Sequence, residues 1–152
     1  DRIDDALHAT KAAMESGFLP GGGIALARAG LELLRKTNNS EETLLSKTAT
    51  KIVSDACMSP LRRILTNADM STDYIMEMIK NNDDWTYGYD VRSESYVNMI
   101  EKGIIDPQKV TATAIKNAVS VSNSLLSVGC VVLNTENYNQ GVQLVQLSDD
   151  MY

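Results

Sequence analysis

Aromatic side chains are scarce in this sequence: 5% of 152 residues, with a single Phe (Phe18) and a single Trp (Trp85). Small and aliphatic residues must therefore supply the packing, an arrangement that suits close helix–helix contact. Cysteine is equally sparse. Cys57 and Cys130 lie far apart with no CxxC spacing, which excludes a disulfide framework and a zinc ribbon. They read as buried free thiols of a reducing compartment. Basic residues are outnumbered, Lys+Arg 14 against Asp+Glu 20 for a net charge of −6, so no basic stripe is available to neutralise nucleic-acid phosphates. No apolar run approaches the roughly 20 residues that a bilayer-spanning helix needs. The 43% hydrophobic content still suffices for the core of one domain.

What is present is helical periodicity interrupted by glycine. Ile3, Leu7, Thr10 and Met14 recur at helical spacing, and Gly17 closes that segment. Asp1-Arg2-Ile3-Asp4-Asp5 opens in the body of this helix, so the sequence reads as a piece of a longer chain. A second helix is expected from Ile24 to Lys36, with Leu31 and Leu34 on its stripe. Ser40 before Glu41 and Glu42 reads as the next helix start. Leu45, Ala49, Ile52 and Ala56 form its stripe, and Pro60 ends or offsets it. Short helices are expected at Leu61–Asn67 and Thr72–Lys80.

Trp85-Thr86-Tyr87-Gly88-Tyr89 alternates large and small residues, as a strand or hairpin with cross-strand aromatic packing does. Tyr96, Met99 and Ile100 predict a further short helix closed by Gly103. Asp106-Pro107 is expected to open the longest helix, with Asp106 as cap and an apolar face of Val110, Ala114, Ala118, Val121 and Leu125. Val128–Leu133 reads as a strand that needs a partner from elsewhere, and residues 134–152 as a polar tail. The fold class expected is mainly α with a short β-hairpin and a C-terminal strand.

Two features carry chemistry. Gly21-Gly22-Gly23 precedes a helix start, where free N–H groups and close backbone approach favour an anion. Asp5 lies opposite the apolar stripe of the first helix, where a carboxylate can order a water. Taken alone each has a plain reading: a glycine triplet as an interhelix turn, an exposed acid as a solvated one. Asp4 and His8 sit one turn apart and permit a metal pair, yet no third and fourth ligands appear. Neither a GxxxxGK[ST] loop nor a strand-led dinucleotide fingerprint is present.

Read in order, Asp4-Asp5-Ala6-Leu7-His8-Ala9-Thr10, Gly21-Gly22-Gly23 with Ala25-Leu26, Tyr87-Gly88-Tyr89-Asp90, Asn98-Met99-Ile100 and Gly103-Ile104-Ile105-Asp106-Pro107 resemble the type I (GroEL-type) chaperonins over residues 1–133. The resemblance implies a C-terminal piece of such a chain. Residues 1–16 correspond to the end of the intermediate domain, 17–133 to the second half of the equatorial ATP-binding domain, and 134–152 to the tail. It implies ATP as the nucleotide, with magnesium ligands mainly in the family's N-terminal half, none of them here. Asp5 is then the residue that orients the attacking water. Gly22, with Gly21 beside it, meets the nucleotide through its backbone; Asp90, Val91 and Arg92 lie against the adenine; Tyr89 and Ile104 wall the base; and Asp106 binds ribose hydroxyls.

Implied partners are like subunits of a stacked ring, with unfolded clients and a lid cochaperonin engaged through other domains, and neither nucleic acid nor membrane. Asp90, where bacterial relatives usually carry Asn, and Glu101-Lys102-Gly103-Ile104-Ile105 favour the mitochondrial-like branch, so a mitochondrial matrix or other organelle is expected, or the cytoplasm for a bacterial protein. Val91-Arg92 and a tail without Gly-Gly-Met repeats depart from the family pattern. The Gly-Asp-Gly-Thr-Thr phosphate loop is missing, so the piece alone is expected to lack turnover. The rival expectation is a noncatalytic helical interaction module; a metal-dependent hydrolase using Asp4, Asp5 and His8 is a third.

Overall fold

The computed structural model describes residues 2–39 and 41–132. Within them α1 (Arg2–Ser16), α2 (Ile24–Asn38), α3 (Leu44–Asn67), α4 (Thr72–Lys80) and α5 (Gln108–Leu126) are joined by two small antiparallel ribbons. One pairs β1 (Phe18–Pro20) with β4 (Ile105–Pro107); the other pairs β2 (Tyr87–Asp90) with β3 (Ser95–Asn98). The chain divides into two compact units, Asp1–Lys116 and Asn117–Tyr152. The mainly helical class with short β elements agrees with the expectation.

The core of the first unit is built by close approach, as the shortage of rings requires. Ile24, Ala27, Leu61, Leu65, Ile75, Ile79 and Met99 are its buried apolar residues. α2 lies against α3 where Gly30 meets Ser54. A Cβ on Gly30 would stand 3.0 Å from the Ser54 carbonyl oxygen, and the fully buried Ser54 hydroxyl donates to the Gly30 carbonyl at 2.8 Å. A small polar residue thus serves a helix contact that a larger one would hold apart.

Several expectations are corrected. α3 starts at Leu44, with Thr43 as cap accepting from the Ser46 N–H, because Glu41 and Glu42 precede the helix instead of entering it; Ser40 lies outside the described residues. α3 continues through Pro60 to Asn67, and at 24 residues it, not the 19-residue α5, is the longest helix. The proline's missing N–H is tolerated because Leu61 and Leu65, just beyond it, are buried in the core. Ser95–Asn98 is strand followed by a turn, since Tyr96 is held across the ribbon by Tyr89. The expected apolar stripes of α1, α3 and α5 stand largely exposed, with Ile3, Leu7, Met14, Leu45, Ile52, Val110, Val121 and Leu125 all in solvent. They find no cover among the described residues. The face of α3 that is buried runs instead through Ser54, Leu61 and Leu65.

In the second unit, the rest of α5 is followed by 128–132, which is no strand; among the described residues nothing pairs with it. Leu133 and the 134–152 tail lie outside the described residues. The expectation of buried thiols also fails: Cys57 is half-buried and Cys130 is exposed, the latter because its segment has no sheet to join. Among the described residues no helix is long and apolar enough to cross a membrane.

Candidate functional site

The glycine triplet is seated by a ribbon. Gly17, at φ +81°, ends α1, and its N–H closes on the Ala13 carbonyl at 2.8 Å. Phe18, Leu19 and Pro20 then pair with Pro107, Asp106 and Ile105 respectively. Directly beyond, the Gly21 N–H donates to the Ile104 carbonyl at 2.9 Å. Glycine suits that approach, because a Cβ would lie 3.1 Å from two backbone atoms of Ile104 and Ile105, which would have to give by a few tenths of an ångström. Gly22 and Gly23 take φ of +63° and +80° and turn the chain into α2, whose cap position carries no side-chain acceptor. The Ile24 N–H closes on the Gly21 carbonyl at 3.1 Å, and no side chain caps the N–H groups that follow it in the first turn of α2.

The second ribbon forms the neighbouring wall. Tyr96 stacks on Tyr87, with centroids 5.4 Å apart, and meets Tyr89 edge-on at 5.0 Å. The buried Asp90 carboxylate accepts from the Arg92 N–H at 2.9 Å and the Ser93 hydroxyl at 2.6 Å. The Ser93 bond first, then that from Arg92, holds the carboxyl below the usual carboxylate range. Asp90 thus shapes the hairpin turn, while the Arg92 side chain is exposed. Gly88 packs onto α2: a Cβ there would sit 2.7 Å from Ile24 and from Met99. Met99 donates its N–H to the Thr86 carbonyl and accepts from the Ile104 N–H, tying the hairpin to the segment that leads into β4. Tyr89, Val91 and Ile104 all pack on the core around Ile24 and Met99.

Gly21, Gly22, Tyr89, Val91, Ile104 and Asp106 are therefore carried on two ribbons that meet at the start of α2. Asp106 corrects an expectation. It is a β4 residue opposite Leu19, not a helix cap; α5 begins at Gln108, and its first N–H groups are met by the Gly17 carbonyl and the Ser16 hydroxyl, at 3.0 and 3.1 Å. The Asp106 side chain accepts no hydrogen bond from any described residue. It keeps contact with solvent, yet desolvation by the surrounding chain pushes its carboxyl above the ordinary range.

Asp5 stands apart from the ribbons. It is exposed and lines an open groove of about 810 Å³ between α1 and the first turns of α5, with His8, Ala12, Glu15, Lys109 and Thr113. A Lys109–Glu15 ion pair at 2.6 Å spans that groove, while the Asp5 carboxylate makes no ion pair or hydrogen bond to a described residue. His8 Nδ1 lies 2.8 Å from the Asp4 carbonyl oxygen. Among the described residues no three His, Cys, Asp or Glu side chains converge to hold a metal.

The TCP-1/cpn60 chaperonin family model matches residues 1–136. The chain belongs to this family. A solved structure described as "Crystal structure of group III chaperonin in the open state" matches this chaperonin chain with a TM-score of 0.71 at 26% identity. The alignment covers 80% of the chain and 25% of that structure's, so the chain spans about a quarter of the protein it resembles.

Sequence reasoning missed one residue of this chaperonin site region. Arg28, one turn along α2 from Ile24, donates from Nη1 to the Asn82 carbonyl and from Nη2 to those of Asp84 at 2.6 Å and Tyr87 at 3.2 Å. Its Nε is buried without a partner. Burial lowers its pKa, opposed by the nearby Asp84 and Asp83, and a guanidinium so placed stays charged at neutral pH. The available signal was weak: a cation between Ile24 and Leu31 at helical spacing, next to the buried Ala27.

Proposed function

We propose that this chain forms one wall of the ATP site of a chaperonin ATPase of the type I, mitochondrial-like branch. One observation carries the reading: the Gly21–Ile104 hydrogen bond, in register with the β1–β4 ribbon, sets an uncapped helix start beside the unpartnered Asp106 carboxyl. An uncapped N-terminus with two glycines at positive φ fits phosphate oxygens. A partly desolvated carboxylate with free lone pairs fits ribose hydroxyls. Gly21 and Gly22 then meet the nucleotide through the backbone, and Tyr89, Asp90, Val91, Arg92 and Ile104 flank the base. With its carboxylate committed to the turn, Asp90 contributes shape and main-chain groups. Bound ATP supplies the transferable phosphoryl group, with magnesium held mainly by other parts of the protein.

Asp5, on the segment assigned to the intermediate domain (1–16), orients a water once that segment closes over the equatorial part (17–133). The complete protein is a stacked ring that captures, encloses and releases unfolded clients with a lid cochaperonin, in the mitochondrial matrix or another organelle. This chain alone holds too little of the site for turnover.

Replacing Asp5 with Ala in the full-length ring is expected to abolish hydrolysis and spare ATP binding; undiminished hydrolysis refutes the role. Titrating the full-length protein with ATP while sizing it separates this reading from a noncatalytic helical interaction module, which binds no nucleotide and forms no ring.

A further inference from the structure

We infer that Arg28 is a positioning residue that fixes the base-side hairpin relative to the glycine turn. This rests on the nucleotide reading above. α2 touches both walls: its first residue follows Gly23, and one turn later the Arg28 fork reaches the loop that delivers β2. That loop satisfies its own donors. Asn82 Oδ1 takes the Asp84 N–H at 2.8 Å, and Asp84 Oδ1 takes the Thr86 N–H and hydroxyl at 2.9 and 2.8 Å. The carbonyls of Asn82, Asp84 and Tyr87 converge on the guanidinium.

The geometry suits arginine alone. A planar fork meets separate acceptors in fixed directions, whereas an ammonium is a point charge on a flexible stem. The hairpin's other hold on α2 is apolar: the steric contact of Gly88 with Ile24, within the packing of Tyr89, Tyr96 and Val97 on the core that Ile24 and Ala27 share. That contact limits approach but does not stop sliding along the helix. Directional hydrogen bonds to the Tyr87 and Asp84 carbonyls do, and Tyr87 lies two residues before Tyr89. Without the fork, the hairpin keeps only the Met99–Thr86 bond and apolar packing to hold its registry, while the glycine turn keeps its own bond to Ile104.

The consequence is a split between base and phosphate recognition. Full-length rings carrying Arg28→Met or Arg28→Lys are assayed for ATP hydrolysis, and for binding of inorganic tripolyphosphate by calorimetry. Loss of charge-assisted hydrogen bonds on this scale is expected to raise KM for ATP about tenfold in Arg28→Met. The kcat at saturation and the tripolyphosphate Kd stay within about twofold, and Arg28→Lys falls between Arg28→Met and wild type. An unchanged KM overturns the inference, as does an equal loss of tripolyphosphate binding, which marks a general defect. Where Arg28→Met does not assemble, Arg28→Lys decides: a wild-type KM in that variant overturns it. A wild-type ring that binds no ATP instead defeats the nucleotide reading itself.

Discussion

Three of the four described glycines with positive φ differ in what a Cβ would meet, and alanine at each separates conformational strain from steric exclusion. Gly17, Gly22 and Gly23 have φ of +81°, +63° and +80°. Holding an alanine in this region costs about 1–2 kcal/mol at any of them. A Cβ on Gly17 meets nothing within 4 Å, so Gly17→Ala is expected to lose about 1 kcal/mol, the strain alone. On Gly22 it meets the Met99 methyl at 3.0 Å, the free end of a side chain that yields cheaply, which adds at most about 1 kcal/mol. On Gly23 it falls 2.7 and 2.9 Å from the backbone N and Cα of Leu61. No rotamer relieves that clash, because α3 itself must move, and overpacking adds about 1–3 kcal/mol. Gly23→Ala should therefore cost about 3 kcal/mol in total. Guanidinium unfolding of the chain followed by far-UV circular dichroism, with the slope unchanged across the series, measures all three. A Gly23→Ala loss equal to that of Gly17→Ala shows that α2 and α3 do not approach this closely, and refutes the reasoning.

Three further outcomes follow from the hydrogen bonds around the ribbons and from the desolvation of Asp106. Asp90 (through Ser93, then Arg92) and Asp84 (through the Thr86 N–H, then its hydroxyl) have depressed pKa values, so their contribution is present above about pH 4 and is lost as pH falls through the folded values. Asp106 has the opposite sign: its carboxyl is raised, so stability declines as pH rises through its titration. Asp90→Asn should accordingly shrink the acid-side loss of stability between pH 7 and 3, measured as the shift in unfolding midpoint. Asp106→Asn should stabilise the chain at pH 7 while weakening ATP binding by the full-length ring; a destabilised Asp106→Asn contradicts the desolvation argument. Ser16→Ala removes the acceptor for the Lys109 N–H at the start of α5 and should cost about 1 kcal/mol. Faster hydrogen exchange at that amide checks it, and unchanged exchange counts against it.

Local signals carried much of the fold. Gly17 and the glycine triplet bounded α1 and α2, Thr72–Lys80 was α4 as expected, and the spacing of Tyr87 and Tyr89 announced a ribbon. What escaped was set by distant partners. Nothing in Phe18-Leu19-Pro20 marks a strand until residues near 105 lie beside it, and that pairing takes Asp106 from the helix it seemed to cap. The buried face of α3 passes through Ser54 because Gly30 allows contact there, so the larger side chains that make the stripe point outward. The glycine and aspartate positions were singled out through family resemblance. Arg28 was not, since its partners are carbonyl oxygens that any residue would have supplied.

The β1–β4 ribbon also has a topological meaning. The polypeptide enters at Phe18 and departs at Pro107 through one doorway, and everything from Gly21 to Ile104 is a closed parcel hung from that latch. Because both ends meet there, a foreign scaffold would need only one antiparallel pair of strand ends to receive that stretch.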